Sequence, residues 1–186
     1  TEIFANTIKS RLGIKNIVIF PNAINPEESQ FQPKPTQSDK IRFGWLGGST
    51  HLHDLELMRG GISNIANQND NVQFVLCGFD LRGNVTEINP QTGERKVRPI
   101  KPMETVWYKY EQIFTDNYKT VDDLYRLHLM NFTENGNYDD SKTKYVRVWT
   151  QPIGRYGANY NKFDISLAPL LPSEFNANKS QLKIIE

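Results

Sequence analysis

KIRFGWLGGSTHLHDLELMRGGISNIANQ, residues 40 to 68, decides the fold. Ile41 to Leu46 is an apolar run with the length of a central strand. Gly47 and Gly48 permit a tight turn, and Ser49, Thr50 or Asp54 offers an oxygen to cap a helix behind it. Leu55, Met58, Ile62 and Ile65 recur at the spacing of one buried helical face. NVQFVLCGF, residues 71 to 79, returns as a second buried strand. Strand, glycine turn, helix, strand is a βαβ unit, which predicts a parallel sheet with a right-handed crossover.

Upstream, Ile3, Phe4, Ile8 and Leu12 predict a short amphipathic helix, and NIVIF (16 to 20) predicts a buried strand ended by Pro21. Several prolines between Pro21 and Asp39 make that stretch an extended connector. Downstream, NPQTGE (89 to 94) predicts a hairpin turn between strands at Val85–Ile88 and Lys96–Arg98. ETVWYKYEQIF (104 to 114) and VDDLYRLHLMNF (121 to 132) have helical spacing, and ENGNYDDSK (134 to 142) is a polar loop. Residues 80 to 144 therefore interrupt the alternation as an α-rich insertion packed through Trp107, Tyr110, Phe114, Leu124, Tyr125 and Leu127. The sheet resumes with a strand at KYVRVWTQ (144 to 151), a helix or turn at IGRYGANYNKF and a buried strand at DISLAPL (164 to 170). FNANKSQLKIIE (175 to 186) then opens a helix, with Asn176 or Asn178 as its cap. The order βαβ, insertion, βαβα predicts an α/β fold: a Rossmann-like, doubly wound parallel sheet.

Composition narrows the function. With 38% hydrophobic and 23% charged residues, the 186-residue chain has the balance of a globular domain rather than a disordered one. A net charge of +1 gives no general attraction to nucleic acid or to an acidic membrane surface. No apolar run has the length of a membrane-spanning helix. The single cysteine, Cys77, sits in an apolar run and reads as a small buried hydrophobe, which fits a reducing cytoplasm.

Ligands of open parallel sheets bind outside the carboxyl ends of the strands. Two loops leave such ends. In GWLGGSTHLHD the paired glycines let backbone approach a ligand, and the next helix start offers free N–H groups, which suits a phosphate. In APLLPSEFNANKSQLKIIE, Pro169 and Pro172 stiffen the loop, and Lys179, Leu182, Lys183 and Glu186 share a helical stripe. A lysine near a helix start opposes the helix dipole, and a bound anion would resolve that conflict.

In order and spacing, NIVIFPNAINPEESQF (16 to 31), IRFGWLGGSTHLHDL (41 to 55) and DISLAPL with FNANKSQLKIIE resemble the carboxyl-terminal domain of GT-B-fold glycosyltransferases. They look most like the retaining group that includes glycogen-synthase-like enzymes. The resemblance covers residues 14 to 79 and 145 to 186. It implies an entry segment at 1–39, the two halves of a donor-binding domain at 40–79 and 145–186, and an insertion at 80–144. The bound molecule would be a nucleotide sugar, and the acceptor, a glycan or lipid-linked molecule, would be held by an upstream domain.

Gly47 and Gly48 match the family's glycine turn, which approaches the donor phosphates, and Glu186 matches the second glutamate of its paired-glutamate motif, which binds the ribose. The Pro21–Asn22 segment matches the entry from the interdomain hinge. The implied donor-binding set is Gly47, Gly48, Ser49, Thr50, His51, Lys179, Ser180 and Glu186, with no metal and no cofactor beyond the donor. Asn178 stands where the family's first glutamate is expected, with Glu174 four residues out of register. His51 and His53 replace the basic pair that often follows the glycine turn, which leaves Lys179 to supply the phosphate charge. The resemblance leaves room for peripheral membrane association of a longer protein, of which this chain would be an inactive part.

Other candidates are weaker. His51 and His53 have only His128 as a further histidine, so a closed zinc site is not expected. Trp107, Tyr108, Tyr110 and Tyr118 beside Lys109 and Lys119 could face a sugar or single-stranded nucleic acid, but at helical spacing they read as core. Asp122–Asp123 and Asp139–Asp140 lie in polar surroundings and read as solvated surface. Two further readings share the pattern: a non-catalytic module that binds a partner through residues 80–144, and a sugar-nucleotide epimerase of the same fold.

Overall fold

A computed structural model of the protein describes residues 1–34, 38–80, 83–116 and 144–179. In chain order its elements are α1 (Glu2–Leu12), β1 (Ile41–Leu46), α2 (Leu52–Glu56), α3 (Gly61–Gln68), β2 (Val72–Phe79), β3 (Asn84–Ile88), β4 (Arg95–Pro99), α4 (Val106–Phe114), β5 (Tyr145–Trp149), β6 (Ile165–Ser166) and α5 (Glu174–Ala177). Short 3-10 helices lie at Ser29–Phe31, Pro102–Glu104 and Tyr156–Lys162. The fold is α/β, built on a parallel sheet of order β5-β2-β1-β6.

The side-chain alternation of the strands sorts two cores. Trp45, Phe74 and Leu76 point to one face, where Leu55, Ile62, Ala66, Trp107, Tyr110, Ile113 and Phe114 from α2, α3 and α4 cover them. Leu46, Val75, Cys77, Val146 and Val148 point to the other, under Phe163 and the 3-10 helix Tyr156–Lys162. Each large apolar side chain buried this way contributes ~1.5–3 kcal/mol, which makes the two clusters the main source of stability. Gly44 fits this design: a Cβ there would lie 2.0 Å from the Phe163 ring, so only glycine lets that ring rest on the middle of β1.

Two arginine–carboxyl contacts complete the packing. Arg42 is 1% exposed and its main-chain N–H donates to Asp164 Oδ2 at 2.8 Å, while the Asp164 N–H donates to the Arg42 carbonyl at 2.9 Å. This exchange starts the β1–β6 pairing. Across the opposite edge, Arg147 of β5 meets the buried carboxyl of Glu111 on α4. Burial pushes the Glu111 carboxyl up to about 8, against the opposing pull of Arg147.

Several sequence expectations hold. The hairpin forms with Ile88 opposite Arg95 and Gly93 at φ 70 in its turn. Cys77 is fully buried, and α4 occupies the predicted helix. That helix does not stand apart from the sheet: its Trp107, Tyr110 and Phe114 share one core with Trp45, Leu55 and Phe74. The predicted helix at 121–132, with Leu124, Tyr125 and Leu127, and the loop at 134–142 lie outside the described residues.

Others are corrected. Residues 16–20 form no strand, and Val18 and Phe20 are 77% and 84% exposed. The composition of NIVIF is right for a strand, but no described strand pairs with it. The single helix expected from the Leu55, Met58, Ile62 and Ile65 face is two helices, because Gly60 takes the left-handed conformation at φ 75 and resets the phase. Ala66 is therefore buried where Ile65 was expected. The strand at DISLAPL is reduced to two residues at the sheet edge, where Pro169 has no N–H to extend the ladder. Ser173, not Asn176 or Asn178, caps α5, and His51, rather than Ser49, Thr50 or Asp54, occupies the cap position of α2, with no side-chain capping bond. Among the described residues no helix is long and apolar enough to cross a membrane.

Candidate functional site

From β1 the chain passes to β2 and then to β5 on the far side of β2, whereas β6 returns to the other edge of β1. The strand order changes direction between β1 and β6, and the loops leaving those two strands meet at their carboxyl ends. The β1 loop carries Gly47, Gly48, Ser49, Thr50 and His51; the β6 loop runs through Leu171 into α5.

A tyrosine from the core sets the β1 loop. Tyr110 packs edge-on against Trp45 at 5.3 Å and Trp107 at 5.2 Å, which fixes its ring. Its hydroxyl accepts the His51 N–H at 2.8 Å and donates to the Gly48 carbonyl at 3.1 Å. Burial raises the Tyr110 hydroxyl above its ordinary range, partly offset by the His51 N–H, so the proton that bonds Gly48 is retained at neutral pH. The Gly47 carbonyl presses on β2, 2.6 Å from where a Cβ of Gly78 would stand, and Gly78 accommodates it at φ 96. Gly48, Ser49 and Thr50 are exposed, and a Cβ on Gly48 would meet nothing. The loop is thus anchored on one side and open on the other.

Asp54 joins the loops. Its carboxylate is 4% exposed as a residue, and Oδ1 accepts the Leu171 N–H at 2.9 Å and the Asn176 amide at 2.7 Å. Oδ2 lies 3.0 Å from His51 Nδ1 and 3.7 Å from Lys179 Nζ. Burial alone would raise this carboxyl; the bonds from Leu171, His51 and Asn176 and the charge of Lys179 outweigh it and hold the group below the ordinary carboxylate range. The Asn176 amide also donates to the Leu171 carbonyl at 2.9 Å, so two acceptors fix its orientation.

Six of the eight residues expected to bind the donor are described. Gly47, Gly48, Ser49, Thr50 and His51 form the β1 loop, and Lys179 reaches its base through Asp54 while sitting 4.7 Å from the Phe175 ring. Ser180 and Glu186 lie outside the described residues, as do Leu182, Lys183 and His128. The helix behind the glycine turn has five residues, so its dipole at the loop is small. His53 is exposed, and no group of three or more metal-ligating side chains comes together among the described residues. Trp107 and Tyr110 are core, which leaves Tyr108 and Lys109 of the aromatic-lysine patch; Tyr118 and Lys119 are not described.

Sequence reading passed over Asp54 as a binding hub, Tyr110 as a loop anchor and Asn176 as a tether. The His51–Asp54 spacing of three residues was the one local sign. A cleft of about 450 Å³ opens next to Lys179, between Phe4, Thr7 and Arg11 of α1 and Phe175 and Asn178 of the α5 segment. Comparison of the chain with protein-family models, with curated proteins and with solved structures gave no match.

Proposed function

We propose that this chain is the donor-binding part of a GT-B-fold glycosyltransferase, an enzyme that moves a sugar from a nucleotide-sugar donor to a glycan, polysaccharide or lipid-linked acceptor. The observation that carries the reading is the meeting of an exposed glycine loop and the β6 loop where the strand order changes direction. Crevices at that point are where open parallel sheets bind ligands. Under this reading the sheet is doubly wound, residues 40–79 and 145–186 are the halves of one domain, and 1–39 leads into it. Gly47, Gly48, Ser49 and Thr50 approach the diphosphate, with His51 and Lys179 beside it, and Ser180 and Glu186 complete the donor contacts. No metal or cofactor beyond the donor is invoked. The acceptor and part of the catalytic set belong to an upstream domain, so residues 1–186 alone are expected to transfer no sugar.

Thermal unfolding with UDP, GDP, ADP and CMP, free and sugar-linked, tests the reading. A ligand at 100 times its Kd adds about 2.7 kcal/mol, enough for a clear rise in Tm. We expect a rise with one base only. Gly48→Leu should erase that rise and leave the unliganded transition in place, because a side chain at Gly48 enters open space.

One observation favours a second reading, a non-catalytic module that binds a protein or glycan through residues 80–144. Asp54 already engages His51 of the glycine loop and Lys179, and so offsets the charge a diphosphate would meet. A flat panel of nucleotides overturns the donor-site reading in favour of this one.

A further inference from the structure

The segment from Leu171 to Lys179 has little apolar hold on the protein. None of the α5 residues is buried, Leu170 and Leu171 are 46% and 38% exposed, and Phe175 is 72% exposed. The strand before it, β6, pairs with β1 through two residues. What fastens the segment is polar: three of its groups, the Leu171 N–H, the Asn176 amide and the Lys179 ammonium, converge on the one carboxylate of Asp54. Hydrogen bonds to a buried charged acceptor are stronger than neutral ones, and losing the acceptor strands every donor at once.

The amino-terminal helix depends on the same segment. Ala5 is the buried residue of α1, while Ile3, Phe4 and Leu12 are 54%, 50% and 68% exposed. Its side-chain bonds to distant residues run to the α5 segment: Thr1 Oγ1 donates to the Asn178 carbonyl at 3.4 Å, Thr7 Oγ1 to Asn178 Oδ1 at 3.3 Å, and Arg11 pairs with Glu174. Asn178 is itself tied into the segment by a 2.7 Å bond to the Glu174 carbonyl. Attachment therefore runs in series, from the sheet core through Asp54 to α5 and from α5 to α1.

We infer that Asp54 is a latch: α5 and α1 form one cap, closed against the β1 loop by this carboxylate, which opens as a unit when the carboxylate's contacts are lost. Opening widens the crevice beside Gly48 and frees His51 and Lys179 together, so an anion at Lys179 would compete directly with the latch. This goes beyond the donor-site reading and stands whether or not the crevice takes a nucleotide sugar.

Hydrogen–deuterium exchange on the 186-residue chain tests it. In Asp54→Ala, amides of Leu171–Lys179 and of α1 should both exchange about tenfold faster or more, while those of β1 and β2 keep their rates. Acceleration spread evenly over the sheet, acceleration of Leu171–Lys179 without α1, or no change in either overturns the latch. Should Asp54→Ala fail to fold, Asn176→Ala decides the matter, because Asn176 lies outside both apolar clusters. It removes one tether and should accelerate the same two segments to a smaller extent; unchanged rates there sink the proposal.

Discussion

The centre of the sheet and its α1–α5 rim are held by opposite means. At the centre, side chains interlock so closely that backbone positions are fixed by sterics: Phe163 lies on Gly44, and the Gly47 carbonyl presses on Gly78. At the rim, exposed apolar side chains contribute little, and directional bonds to Asp54, Asn178 and Glu174 set the geometry. A change of volume should therefore be felt at the centre, and a change of charge or of a single donor at the rim.

The sharpest way to break this contrast is Gly44→Ala. The added Cβ would lie 2.0 Å from the Phe163 ring, and burial of that ring leaves it little room to move. We expect a loss of about 3 kcal/mol in urea unfolding, the upper range of overpacking. Adding Phe163→Leu should recover part of it; a single variant as stable as the parent would show that the centre yields.

A smaller effect comes from a carboxyl buried beside the centre. The Glu111 carboxyl is pushed up to about 8 from an ordinary 4.5, so the folded protein keeps a proton that the unfolded chain releases. The resulting stability is full below pH 4.5 and is lost as the pH rises through about 8. Asp54 and Asp164 are held below their ordinary 3.8, so their contribution is lost in a separate window, as the pH falls below that value. Urea unfolding should therefore show stability declining between about 4.5 and about 8, and Glu111→Gln should flatten that decline. A decline that survives the substitution would assign it to another group.

The smallest effect is expected four residues from the first. Gly48→Ala places its Cβ in open space on a backbone that is not left-handed, so unliganded stability should change by less than about 0.5 kcal/mol. Gly44 and Gly48 look alike in the sequence. A loss at Gly48 comparable to that at Gly44 would mean the open side of the β1 loop is as tightly packed as the centre.

What could be read from the sequence follows the range of the interaction. The strands β1 and β2, the hairpin and α4 were legible because each is encoded by its own periodicity or turn residues. NIVIF was misread because a strand also needs a neighbour, and its composition says nothing about one. The Gly60–Gly61 break was visible as residues, but the shift of burial from Ile65 to Ala66 depends on a dihedral angle. The site was legible only as the exposed loop at Gly47–His51. Apart from the His51–Asp54 pair, its organisers, Tyr110 and Asp54, act on partners 59 to 62 and 117 to 125 residues away, where no local pattern reaches.

The strand order has a consequence for how the chain is made. The β1 strand gains its first neighbour when Val72 to Cys77 emerge, yet its other edge pairs, among the described residues, with the much later Ile165 and Ser166. During synthesis, then, a largely apolar strand of the sheet carries an unpaired edge until Ile165 and Ser166 emerge. Such edges recruit other strands and are the usual start of aggregation. The brief β6 and the Asp164–Arg42 exchange that begins it thus act as a closing seam on the nascent protein, and damage there should show first as poor yield of soluble chain.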